Sequence, residues 1–129
     1  MSGAPERPIV LVVEDEPLVR MLAADILEDA DMEVVEASTA PGALAILERR
    51  HDIVALFTDI DMPGGMNGLQ LAGIVHARWP HIAIVVTSGV TRLGVDDLPG
   101  AGIFIAKPYA SSAPVRVIRQ LISLGPSHH

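Results

Sequence analysis

Five consecutive aliphatic residues, Ile9-Val10-Leu11-Val12-Val13, have no polar residue alternating among them. A strand of that kind is apolar on both faces, so it belongs inside a parallel sheet with helices packed on either side. The run stops at Glu14-Asp15-Glu16, and Pro17 then suits the first turn of a helix in which Leu18, Leu22 and Ile26 recur every four residues. Glu33 to Ala37 reads as a second, weaker strand. Ser38-Thr39-Ala40-Pro41 offers caps and an N1 proline for a helix carrying Leu44 and Leu47 to about Arg50. Asp52 to Thr58 is a third strand. After a turn rich in glycine, Asn67 is placed to cap a helix running towards Trp79, where Pro80 ends it. Ile82 to Val86 is a fourth strand ending at Thr87-Ser88-Gly89, and Gly102 to Ala106 is a fifth, followed by Lys107-Pro108-Tyr109. Ser111, Ser112 and Pro114 start a last helix through Val115, Ile118, Leu121 and Ile122. Between the last two strands Gly94, Pro99 and Gly100 leave only Leu93 to Leu98 for a helix, so the fourth helix is expected to be short or irregular. Strands alternating with helices predict an α/β fold, a doubly wound five-stranded parallel sheet.

Composition limits what such a chain can do. With 129 residues, half of them hydrophobic, it suits one compact domain, read as a lead-in over 1–8, a domain over 9–124 and a tail over 125–129. Cysteine is absent, which removes disulfides, thiolate metal sites and a cysteine nucleophile. A formal charge of -7, nine scattered Lys and Arg, and 3% aromatic residues argue against a nucleic-acid partner. No apolar run approaches a membrane span and Met1 to Pro8 lacks a signal-like pattern, so no membrane partner and a cytoplasmic location are expected.

The chemistry gathers at the carboxyl ends of the strands. Asp59 follows the apolar run Ile53 to Phe57, where a charge is expensive to desolvate, and ligands of open α/β sheets bind outside these strand ends. Glu14 and Asp15, Thr87 and Ser88, and Lys107 end three other strands. Carboxylates this close tolerate full ionisation only with a cation among them, and oxygen ligands without His or Cys favour a hard ion such as Mg2+. A carboxylate nucleophile, a hydroxyl, an ammonium and such a metal are the parts of a phosphoryl-transfer site. Each part has a plainer reading. Glu14 and Asp15 could serve the helix dipole, Asp59 could be a turn residue, and Ser88-Gly89 and Lys107-Pro108 could be ordinary turns. Asp61 reads as a solvated neighbour whose charge tunes the site.

Together these residues resemble the receiver domain of bacterial two-component response regulators. The likeness covers about Ile9 to Leu124 and rests on the acidic pair after strand one, the turn Asp59-Ile60-Asp61-Met62-Pro63, the hydroxyl-small pair Ser88-Gly89 and Lys107-Pro108. It implies a flavodoxin-like fold and an Asp59 that takes a phosphoryl group from a histidine kinase or phosphotransfer protein. It also implies Mg2+ held by Asp15, Asp59 and the backbone carbonyl of Asp61, with Glu14 acting mainly through metal-bound water. Lys107 would pair with the phosphoryl oxygens, Ser88 would swing in to hydrogen-bond them, and Phe104, three residues before the lysine, would be the switch aromatic. The loop over Met62 to Gly68 looks one residue longer than the commonest family loop.

On this reading the chain is a phosphoacceptor that assists its own phosphorylation and dephosphorylation rather than an enzyme acting on other molecules. It is expected to stand alone or to be the receiver of a hybrid histidine kinase, with an unidentified downstream protein as partner and a homodimer left open. Two alternatives remain. One is a Mg2+-dependent phosphatase forming an aspartyl phosphate, for which Asp61 would be the second acid. The other is a pseudo-receiver that never turns over phosphate.

Overall fold

The computed structural model describes residues 7–62, 65–88, 102–107 and 112–124. Its five strands are β1 (Ile9–Val13), β2 (Glu33–Ala37), β3 (Ile53–Asp59), β4 (Ala83–Ser88) and β5 (Ile103–Ala106). The helices among the described residues are α1 (Pro17–Glu28), α2 (Ala40–Arg49), α3 (Gly68–Arg78) and α4 (Ser112–Leu124). All strand pairs are parallel, and the sheet order is β2-β1-β3-β4-β5. The doubly wound five-stranded sheet expected from the aliphatic runs is therefore what forms. Residues 89–101, which include the segment expected to hold a short fourth helix, lie outside the described residues, as do Pro63 and Gly64 of the loop expected to be long.

Alternation along the central strands divides the core in two. Leu11, Val13, Leu56, Ile84 and Val86 face α2 and α3, where Ala43, Leu47, Leu71, Ala72 and Val75 meet them. Val10, Val12, Ala55, Phe57, Val85 and Ile105 face the other way, onto Ala23 and Leu27 of α1 and Ile118 of α4. Each central strand thus needs apolar side chains at odd and even positions alike, which is why β1 shows no alternation in sequence. The chain runs from β1 to β2 on one side and returns to β3 on the other, so the order reverses between β1 and β3. Crevices of open sheets form at such a reversal.

Local signals position the helices. Thr39 caps α2 by accepting from the Gly42 amide at 3.0 Å, which makes Ala40 the first helical residue and moves Pro41 to the second position. Asn67 and Gln70 form a reciprocal capping box at the start of α3, with bonds of 2.9 and 3.0 Å. Trp79 closes that helix, packs half-buried on the core and carries the Arg78 guanidinium over its ring.

Of the residues that recur every four along α1, Leu18 and Leu22 are 72% and 63% exposed, and Met21 is exposed beside them. Ala23, Ala24 and Leu27 are buried instead. Ala23 and Leu27 pack into the core with Val10, Val12 and Phe57 of the sheet. An apolar ridge is left facing outward next to the acidic loop.

Candidate functional site

The carboxyl ends of β1, β3 and β4 hold every buried polar or charged residue among those described: Glu14, Thr58, Asp59, Thr87 and Ser88. Two strand ends run further than the sequence suggested, so that Asp59 is the last residue of β3 and Thr87 and Ser88 lie within β4. Parallel pairing carries them there, with Asp59 in register with Thr87 and Ser88 with Ala106. Backbone bonds continue past the strands: the Ile60 amide donates to the Thr87 carbonyl at 2.9 Å and the Lys107 amide to the Ser88 carbonyl at 3.0 Å.

Lys107 follows β5 directly, and its side chain crosses the end of β4. Its Nζ lies 3.5 Å from Asp59 Oδ1 and 3.4 Å from Glu14 Oε1. Glu14 turns its second oxygen, Oε2, to the Glu16 amide at 3.1 Å. Arg20 reinforces the loop by donating to the Glu14 carbonyl at 2.9 Å while its Nε reaches Glu36 at 3.1 Å. Asp59 Oδ1 also accepts from the Asp61 amide at 3.3 Å. The loop beyond β1, the turn beyond β3 and the residue beyond β5 are in this way drawn onto one point.

Burial and charge oppose each other at that point. Burial raises the pKa of Asp59 above its ordinary value, outweighing the attraction of Lys107, and the Asp61 charge adds to the rise. Glu14 is raised as well, by burial first and with a contribution from the Asp59 charge, against its bond to the Glu16 amide. Burial disfavours the Lys107 ammonium, yet attraction to Asp59 and Glu14 overcomes it and raises that pKa too.

Glu14, Asp15 and Asp59 can each offer one carboxylate oxygen, all within 4.8 Å of one another. These hard oxygen donors fit a divalent cation of the Mg2+ kind. Thr87 Oγ1 lies in the same rim, buried and without a hydrogen-bond partner among the described residues. A buried orphan hydroxyl beside clustered carboxylates marks a site built for polar contents.

The residues singled out in the sequence come together, apart from Phe104, which sits half-buried on β5 and packs against the α2/α3 core. Asp61, read as a solvated neighbour, is exposed, and its carboxylate also accepts a hydrogen bond from Ser88 Oγ. Gly68, the first residue of α3, carried no signal in the sequence. A Cβ there would stand 2.0 Å from the Asp59 carbonyl oxygen, so only glycine lets α3 begin against the acidic turn.

Residues 10–118 match the family described as response regulator receiver domain. The chemotaxis protein CheY of Listeria monocytogenes is 32% identical over 117 residues, covering 86% of this chain and 95% of CheY. The response regulator protein FleR of Pseudomonas aeruginosa is 32% identical over 81% of this chain, and the chain spans only 22% of FleR's length. A response regulator receiver protein from Sinorhizobium medicae, known from its crystal structure, superimposes with a TM-score of 0.84 at 25% identity, covering 92% of this chain and 96% of that one. With the family match spanning most of its length and a relative of similar size covered almost completely, the chain belongs to the response regulator receiver domain family.

Proposed function

We propose that Asp59 accepts a phosphoryl group from a phosphohistidine on a histidine kinase or phosphotransfer protein, and that this changes the domain's affinity for a downstream protein. The observation that carries the reading is the placement of Asp59: a buried carboxylate ending the central strand, 3.5 Å from the Lys107 ammonium and within reach of Glu14 and Asp15. An Asp59 carboxylate oxygen attacks phosphorus as the bond from phosphorus to the imidazole nitrogen breaks, and the bonding pair leaves with the histidine. Lys107 pairs with the phosphoryl oxygens, and Ser88 turns its hydroxyl to them. Glu14, Asp15 and Asp59 would hold Mg2+, the Asp61 carbonyl completing the set as the family likeness implies. When bound, Mg2+ supplies positive charge against the phosphoryl oxygens. Phe104 would turn inward as Ser88 moves, a population shift driven by contacts that only the phosphorylated state makes.

A protein donor suits the surface as well as the site. Leu18, Met21 and Leu22 form an exposed apolar ridge on α1, which starts directly after the acidic loop. A partner seated there would bring its histidine to Asp59. No helix among the described residues is long and apolar enough to cross a membrane. The domain is proposed to act in the cytoplasm, alone or within a longer regulator or hybrid kinase.

Intact mass after incubation with acetyl phosphate and Mg2+ tests the reading. One phosphoryl adduct is expected, labile to hydroxylamine and lost with a chelator or with Asp59→Asn. An adduct that survives Asp59→Asn would place the acceptor elsewhere. No adduct, together with no Mg2+-dependent binding of beryllofluoride, would favour the pseudo-receiver.

A further inference from the structure

We propose that Asp61 is a latch on Ser88: its carboxylate holds the hydroxyl proton that an anion on Asp59 would need, and so opposes the liganded state. The proposal rests on the reading of Asp59 as the phosphoryl acceptor. Ser88 Oγ donates to Asp61 Oδ2, and Ser88 is the last residue of β4. The turn bearing Asp61 is fixed at both ends of this contact. Its Asp61 amide bonds Asp59 Oδ1 at 3.3 Å, and the preceding Ile60 amide bonds the Thr87 carbonyl, one residue before Ser88. Asp61 and Ser88 are thus tied to the two strand ends between which the phosphoryl group would enter.

A serine hydroxyl has one proton to donate. While Asp61 accepts it, a phosphoryl oxygen cannot. Bonds to ionised acceptors are roughly twice as strong as neutral ones, so the competition is between two anions for one donor. The Asp61 carboxylate also lies near enough to Asp59 for its charge to be felt there, and like charge resists an incoming anion. Both effects favour the unliganded state. A phosphoryl group has to release Ser88 from Asp61 before Ser88 can report its presence. Asp61 is in this sense a positioning residue: it acts on the bound anion through Ser88, and its side chain can be changed without removing the backbone carbonyl expected at the metal.

A double-mutant cycle read by calorimetric titration of beryllofluoride in saturating Mg2+ separates the latch from plain charge repulsion. Asp61→Ala is expected to tighten binding about tenfold, the scale of one hydrogen bond to a charged group. Ser88→Ala weakens binding. In the Ser88→Ala background, Asp61→Ala should gain only about two- to threefold, the share left to charge alone. Asp61→Asn, which keeps an acceptor oxygen without the charge, is expected between wild type and Asp61→Ala, and it serves in place of the alanine variant if that fails to fold. Equal gains from Asp61→Ala in both backgrounds would overturn the latch, as would no gain or weaker binding, and each would leave the acceptor reading intact. Absence of binding in wild type and all variants would overturn both.

Discussion

The interior of the sheet and its carboxyl-end rim are built from the same strands on opposite physical terms. Along β3, Ile53, Ala55, Leu56 and Phe57 are buried among aliphatic neighbours, while Thr58 and Asp59, the next two residues, are buried as polar groups. Burying the first four removes apolar surface from water and stabilises the fold. Burying Asp59 and Glu14 raises their pKa values and works against it. The contrast teaches that the interior supports the fold and the rim draws on that support. Polar burial confined to one end of three central strands is what a site needs and what a purely structural sheet would avoid.

Substitutions can test the contrast, beginning with the interior. Leu56→Ala removes a fully buried side chain and should lower stability by about 2–5 kcal/mol in denaturant unfolding. A loss well under 1 kcal/mol would mean that the interior is not the source of stability. Gly68→Ala forces a methyl group towards the Asp59 carbonyl, and backbone must yield. A loss of about 1–3 kcal/mol is expected, together with weaker Mg2+ binding.

At Asp59 the sign reverses. Its pKa and that of Glu14 are raised above 3.8 and 4.5, so without metal the folded state keeps protons that the unfolded chain has released. Stability from this source is complete below those ordinary values and is lost as pH rises through the folded-state values. Metal-free Asp59→Asn should therefore be more stable than wild type at neutral pH in denaturant unfolding. That advantage should shrink as the solution is acidified through the carboxylate range. The same variant less stable than wild type at neutral pH would show that Lys107 more than compensates the buried charge. The smallest effect is expected from Thr87→Val, which removes an orphan hydroxyl at nearly constant shape and should stabilise by up to about 1 kcal/mol. Destabilisation would reveal a partner for that hydroxyl.

Much of this contrast was legible in the sequence, because both halves leave local marks. Unbroken aliphatic runs such as Val10 to Val13 announce strands buried on both faces, and the polar residues that stop them announce the rim. Glu14, Asp15, Asp59, Ser88 and Lys107 could be gathered because a parallel sheet brings all its carboxyl ends to one side. What stayed hidden depends on packing at close range. Leu18 and Leu22 have the four-residue spacing of one helix face, yet the face of α1 that is buried carries Ala23, Ala24 and Leu27. Gly68 matters through the Asp59 backbone, nine positions away in sequence. The Ser88–Asp61 bond depends on the side-chain direction of two residues from different strands' ends, which no local pattern encodes.

The central claim is that the rim's carboxylates are a burden that a divalent cation relieves. Thermal unfolding at neutral pH across a Mg2+ titration tests it most directly. Wild type should gain roughly 5–10 °C at a hundredfold excess over the dissociation constant, since a ligand of the folded state stabilises it by mass action. Asp59→Asn should gain far less. A wild-type midpoint that does not move with Mg2+, or one that moves equally in Asp59→Asn, would contradict the account.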